Sequence, residues 1–142
     1  MDVKNHILFA CSRTPATCTV LNADDGTVIT TLPIGTGVDA AEFNPNTMEA
    51  CVSSGDGKLT IIKETDLKTF TVEQTLPTMS RVKTCTLDSK TNQIILIASD
   101  RTATPATPVA TAPTGASGQR GGRGGEGGGV FTIIVAGKAD AK

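Results

Sequence analysis

Apolar residues along this chain come in short runs without helical period. From Val38 to Leu76 they mark four strand-length segments, about 38–43, 48–54, 59–64 and 70–76. Turn signals separate them. Asn44-Pro45-Asn46-Thr47 and, further on, Asp88-Ser89-Lys90-Thr91 are turn tetrads. Gly55-Asp56-Gly57 and Asp24-Asp25-Gly26 mark tight hairpins.

The pattern repeats. Leu32-Pro33 recurs as Leu76-Pro77, Val38 as Val82, Phe43-Asn44 as Leu87-Asp88 and Thr47 as Thr91, each 44 residues on. Asp2-Val3-Lys4-Asn5 matches Asn44-Pro45-Asn46-Thr47 at a shift of 42. The strips "HILFACS", "MEACVSS" and "QIILIAS" run parallel, as do Thr19-Val20-Leu21, Thr60-Ile61-Ile62 and Thr132-Ile133-Ile134. The last spacing is about thirty residues too long, so a Pro/Thr/Gly-rich insertion at 101–129 interrupts the third unit. Its composition, including "GQRGGRGGEGGG", predicts a flexible surface loop.

Four-stranded units at a period of roughly 40–45 are the sequence signature of β-propeller blades. An antiparallel sandwich of about ten strands is the competing architecture, and the register held across units favours the propeller. The expected fold class is all-β, a partial propeller of antiparallel four-stranded blades. The units are 1–36 lacking a first strand, 37–80 complete, and 81–142 lacking a last strand.

The phrases "LNADDGTVITTLPIGTGVDAAEFNPNT", "SSGDGKLTIIKE" and "GVFTIIVAGK" resemble the YncE-like, or YVTN-repeat, β-propeller family. The resemblance spans nearly the whole chain outside the insertion. It implies a bacterial, exported (periplasmic or secreted) protein of about seven blades. This chain supplies about two and a half, so the expectation is a C-terminal piece with Met1 an internal or false start. Remaining blades, or self-association through open strand edges, are then the expected partners.

Composition sharpens the picture. The 142 residues are 38% hydrophobic with a formal net charge of -1 and contain four Phe, no Trp and no Tyr. The core must be aliphatic, and near-neutral charge gives no general pull toward nucleic acid or acidic membranes. No apolar run reaches the roughly 18–20 residues of a membrane helix, and no signal peptide opens the chain. Two arginines offset by Glu126 make a poor nucleic-acid segment. The glycines precede a strand rather than opening a helix, so they make no phosphate cradle.

Chemistry is sparse. Cys11, Cys18, Cys51 and Cys85 lack zinc spacing; Cys11 and Cys18 flank a turn, either as free thiols or as a disulfide. The only histidine, His6, reads as a surface residue beside a turn. No catalytic residue, metal site or cofactor is expected. Propeller geometry puts Arg13–Thr17, Gly35–Gly37, Gly55–Gly57, Met79–Arg81 and the insertion on one face. Arg13, Asp39, Glu42, Arg81 and Lys83 are the candidate ligand-binding residues there. The expected function is a non-enzymatic binding or scaffold module for an unknown protein, glycan or small molecule. Two alternatives stay open: a part of a lactonase-like or dehydrogenase-like enzyme, and a truncated gene product with no function of its own.

Overall fold

The computed structural model describes residues 1–100 and 130–137. The predicted insertion at 101–129 therefore lies outside the described residues. Within them the chain is all-β, with ten strands and no helix. They are β1 (Ile7–Arg13), β2 (Ala16–Asn22), β3 (Val28–Pro33), β4 (Val38–Asn44), β5 (Glu49–Ser54), β6 (Lys58–Asp66), β7 (Thr69–Pro77), β8 (Val82–Asp88), β9 (Gln93–Asp100) and β10 (Val130–Ala136). Every pairing is antiparallel between sequence neighbours. The result is a first sheet β1-β2-β3, a middle sheet β4-β5-β6-β7 and a third sheet β8-β9-β10.

The sheets stack face to face. Ile7, Phe9, Cys18 and Val20 of the first sheet pack on Phe43, Ala50, Val52, Ile62 and Phe70 of the middle one. Phe9 stacks on Phe43 and meets Phe70 edge-on, with ring centroids 5.5 and 5.9 Å apart. The other face of the middle sheet, with Cys51 and Leu59, packs on Val82, Cys85, Ile94, Leu96 and Ala98 of the third. This double coverage explains why all six residues of β5 are buried.

Local chemistry repeats with the sheets. Asp2, Asn44 and Asp88 each accept a backbone N–H two residues on, from Lys4, Asn46 and Lys90. These are Asx turns at one repeat position. Each ends in a left-handed residue: His6 (φ 55°), Met48 (φ 54°) and Asn92 (φ 57°). That alignment corrects the reading of the third strip. The equivalent of "HILFACS" begins at Asn92 rather than Gln93, because the left-handed residue sets the phase of the following strand. Asn44↔Glu49 and Asp88↔Gln93 pair alike. The same phase corrects the strip on β10: Ile97↔Ile133 stands where Ser53↔Leu59 does, so Thr132-Ile133-Ile134 corresponds to Lys58-Leu59-Thr60, two residues off its sequence match with Thr60-Ile61-Ile62.

The first strands of the middle and third sheets share another device. The β4–β5 register slips between Val38 and Ala40, and the β8–β9 register between Val82 and Thr84. Asp39 and Lys83 are thus equivalent extra residues in two β-bulges.

Candidate functional site

Backbone hydrogen bonds join three of the loops that the sequence placed on one face. The Gly55 N–H donates to the Gly37 carbonyl (3.0 Å), Arg81 N–H to the Gly55 carbonyl (2.8 Å) and Thr78 N–H to the Gly57 carbonyl (2.8 Å). Gly35 lies so close to β5 that a Cβ there would stand 2.7 Å from the Ser54 side chain. No larger residue fits without moving that strand.

Asp56 fastens this rim. Its Oδ2 accepts from the Thr36 N–H (2.9 Å) and hydroxyl (3.1 Å) and pairs with Lys58 Nζ at 3.2 Å. Partial burial works against its charge. The Thr36 and Lys58 donors outweigh that and hold its carboxyl below the usual range.

Arg13 reaches across from the first sheet. Its Nε donates to the Val38 carbonyl at 2.8 Å, and Nη2 donates to Asp39 Oδ1 at 3.3 Å. The structure thus brings Arg13 and Asp39 together as a rim ion pair, and such exposed pairs stabilise by less than about 1 kcal/mol. Glu42 lies further along β4, opposite Cys51. Simple strand parity sets Asp39 and Glu42 on opposite faces. The bulge at Asp39 breaks that parity, and both carboxylates act on the same buried thiol, Cys85.

Arg81 immediately precedes β8, Lys83 is its second residue, and both are exposed. Neither forms a salt bridge among the described residues, where Arg13 is paired with Asp39 and Lys58 with Asp56. Arg81 has φ 62° and occupies the repeat position of Gly37 (φ 71°). A non-glycine residue in this region carries backbone strain of about 1–2 kcal/mol. Arg81→Gly is therefore expected to raise unfolding stability by roughly 0.5–1 kcal/mol, after glycine's entropy cost is deducted. Urea denaturation checks this; an unchanged or lower midpoint would contradict it.

The thiols are sorted by position. Cys11 and Cys18 are direct cross-strand partners, and all four cysteines are free. The Cys18 thiol donates to Cys11, which lowers the Cys11 pKa and raises that of Cys18. Burial pushes the Cys85 thiol up. Cys11 is half-buried while the other three are buried. Iodoacetamide should therefore label Cys11 first in the folded protein, with Cys18, Cys51 and Cys85 reacting after unfolding. Peptide mass mapping reads this directly; equal early labelling of Cys51 or Cys85 would show the packing described above to be wrong.

His6 lies on the surface, with Nδ1 2.7 Å from Asp24 Oδ1 and both side chains more than half exposed. Among the described residues no three His, Cys, Asp or Glu side chains are grouped as metal ligands.

One feature escaped the sequence. A cavity of about 630 Å³ opens between the outer parts of the middle and third sheets, lined by Glu49, Glu73, Leu76, Asn92, Ile94 and Gly137 among others. It lies beside β10, where the third sheet ends at three strands while the middle sheet continues to β7. The only sequence signal for it was the strand count of the last unit.

No family model matches the chain, and no curated protein matches it in sequence.

Proposed function

We propose that this chain is a segment of a β-propeller-type binding module, non-enzymatic, whose ligand surface is the loop rim running from Arg13 to Lys83. Four features support blades over other stacked sheets. Asx turns recur at one repeat position in all three sheets, and bulges recur at one position in the first strands of two. The middle sheet is covered on both faces. β4 and β8, the first strands of neighbouring sheets, make the most extensive inter-sheet contact, as strands nearest a common axis would.

One observation carries the ligand class. The carboxylates Asp39 and Asp56 are engaged by Arg13 and Lys58, while Arg81 and Lys83, two residues apart, are in no ion pair among the described residues. A rim of this kind attracts carboxylates, and the class it fits is an acidic protein segment. The bulge at Lys83 turns its side chain out of the regular alternation, a usual device beside binding sites.

The test uses a fluorescent hexaglutamate peptide, titrated at low and at physiological salt. Binding should weaken as salt rises. The Arg81→Ala/Lys83→Ala double variant should bind at least about tenfold more weakly, a loss of about 1.4 kcal/mol. Binding that ignores the double substitution, or no binding at low salt, overturns the ligand class.

A further inference from the structure

We propose that the outer face of the third sheet docks a second copy of this chain, which covers it with the outer face of its own first sheet. The inference rests on the equivalence of sheet faces and does not need the cationic rim.

The turn alignment fixes which positions correspond. In the middle sheet the rows Cys51–Ile61 and Ser53–Leu59 face the third sheet and are covered by it. Cys51 is 5% exposed, Ser53 0% and Leu59 1%. The same rows of the third sheet are Ile95–Val135 and Ile97–Ile133, with Phe131 beside Ser99 in the next. Here nothing among the described residues covers them: Phe131 is 68% exposed, Ile133 69% and Val135 55%. Their neighbours on β8 are Thr84 and Thr86, so these rows carry no charge. Contiguous apolar surface of this kind marks an interaction site.

The occupant follows from what covers the equivalent rows elsewhere. The first sheet's inner face is covered by the middle-sheet row Ala50–Ile62–Val72 and by Val52. The corresponding residues of the first sheet are Leu8–Leu21–Val28 and Ala10. They form its outer face, also uncovered, with Leu8 39% and Val28 58% exposed. The chain therefore displays both halves of an interface that it already makes twice internally. The two halves lie on opposite ends of the stack and cannot meet within one chain without closing it. A second copy supplies the missing half, head to tail. Such a heterologous contact closes into a ring or continues as a filament. Two copies bring six sheets together, within the four to eight of closed propellers.

Light scattering after size-exclusion chromatography of the whole chain, across a concentration series, tests the proposal. The wild type should assemble. Ile133→Lys blocks one half and Leu8→Lys the other, and each alone should be monomeric, with self-association weakened at least about tenfold. An equimolar mixture of the two should recover a heterodimer, since one intact interface remains between them. Far-UV circular dichroism checks that both variants fold; Val135→Lys and Val28→Lys provide the same comparison if either does not. A monomeric wild type overturns the proposal. So does assembly that survives Leu8→Lys, which would mean that the third sheet pairs with itself or with something else. A mixture that stays monomeric, or aggregates that neither substitution dissolves, overturns it too.

Discussion

Leu59→Ala is expected to destabilise the fold by about 2–5 kcal/mol, while Ile133→Ala changes it by less than about 0.5 kcal/mol under conditions where the chain is monomeric. The two residues hold the same repeat position. Leu59 pairs across from Ser53 and Leu76 and inserts into the cluster of Val82, Cys85, Ile94 and Leu96. Truncating it removes its transfer free energy and leaves a cavity between two sheets that cannot easily close. Ile133 pairs across from Ile97 and is 69% exposed, so truncation removes little buried area. Urea denaturation of both variants gives the contrast. Similar losses at the two positions would mean that the third sheet's outer face is covered within one chain, contrary to the structure.

The second large effect depends on pH. Glu64→Gln is expected to stabilise the protein by about 1–2 kcal/mol at pH 7 and to change it little at pH 3.5. The Asp2 and Glu64 side chains are both almost wholly buried, 2% exposed each. Asn5 Nδ2 donates to Glu64 Oε1 at 3.1 Å, but Glu64 Oε2 and Asp2 Oδ2 have no hydrogen-bond partner. Burial raises the Glu64 pKa above its ordinary 4.5. The Asn5 donor opposes this, and the neighbouring Asp2 adds to it. The folded state therefore holds the Glu64 proton more tightly than the unfolded chain. Below the unfolded pKa both states are protonated and the group contributes its full share of stability. That contribution is lost as pH rises through the higher, folded pKa. A glutamine is neutral at every pH, and its amide can donate to Asp2 Oδ2 while its carbonyl still accepts from Asn5. Thermal midpoints of both proteins from pH 3.5 to 8 decide the matter. Curves that run parallel would show that Glu64 ionises in the fold without cost.

The strands themselves were legible. The expected segments 38–43, 48–54, 59–64 and 70–76 fall within about two residues of β4, β5, β6 and β7. Alternation and turn chemistry are local, and the Asx turns at Asp2, Asn44 and Asp88 form from neighbouring atoms. The one-residue slip in the third strip has a definite origin. Its phase is set by the left-handed residue at Asn92, and the equivalent residues His6 and Met48 do not announce that conformation by type. Arg81 hid the same way, in a position where the preceding repeat uses Gly37.

At the candidate site, the described loops were legible as one face, while their residues' roles were not. The sequence named Arg13, Asp39, Glu42, Arg81 and Lys83. It could not say that Arg13 would engage Asp39, or that Asp39 and Lys83 would be bulges, because a bulge is a property of two strands in register. The buried Asp2–Glu64 pair was invisible for a similar reason. The two residues lie far apart in the chain and meet only where the first turn packs beside β6.

By itself the sequence determined the strands, their turns and the repeat that makes the three sheets alike. A strand's covalent period of two decides which side chains share a face, and turn residues act over a few bonds. Only the tertiary structure decided which of those faces is covered. Leu59 and Ile133 are aliphatic residues at equivalent places on β6 and β10, yet one is buried and the other open to solvent. Burial depends on whether another sheet, formed by residues tens of positions away, lies against the face, and no local pattern encodes that neighbour.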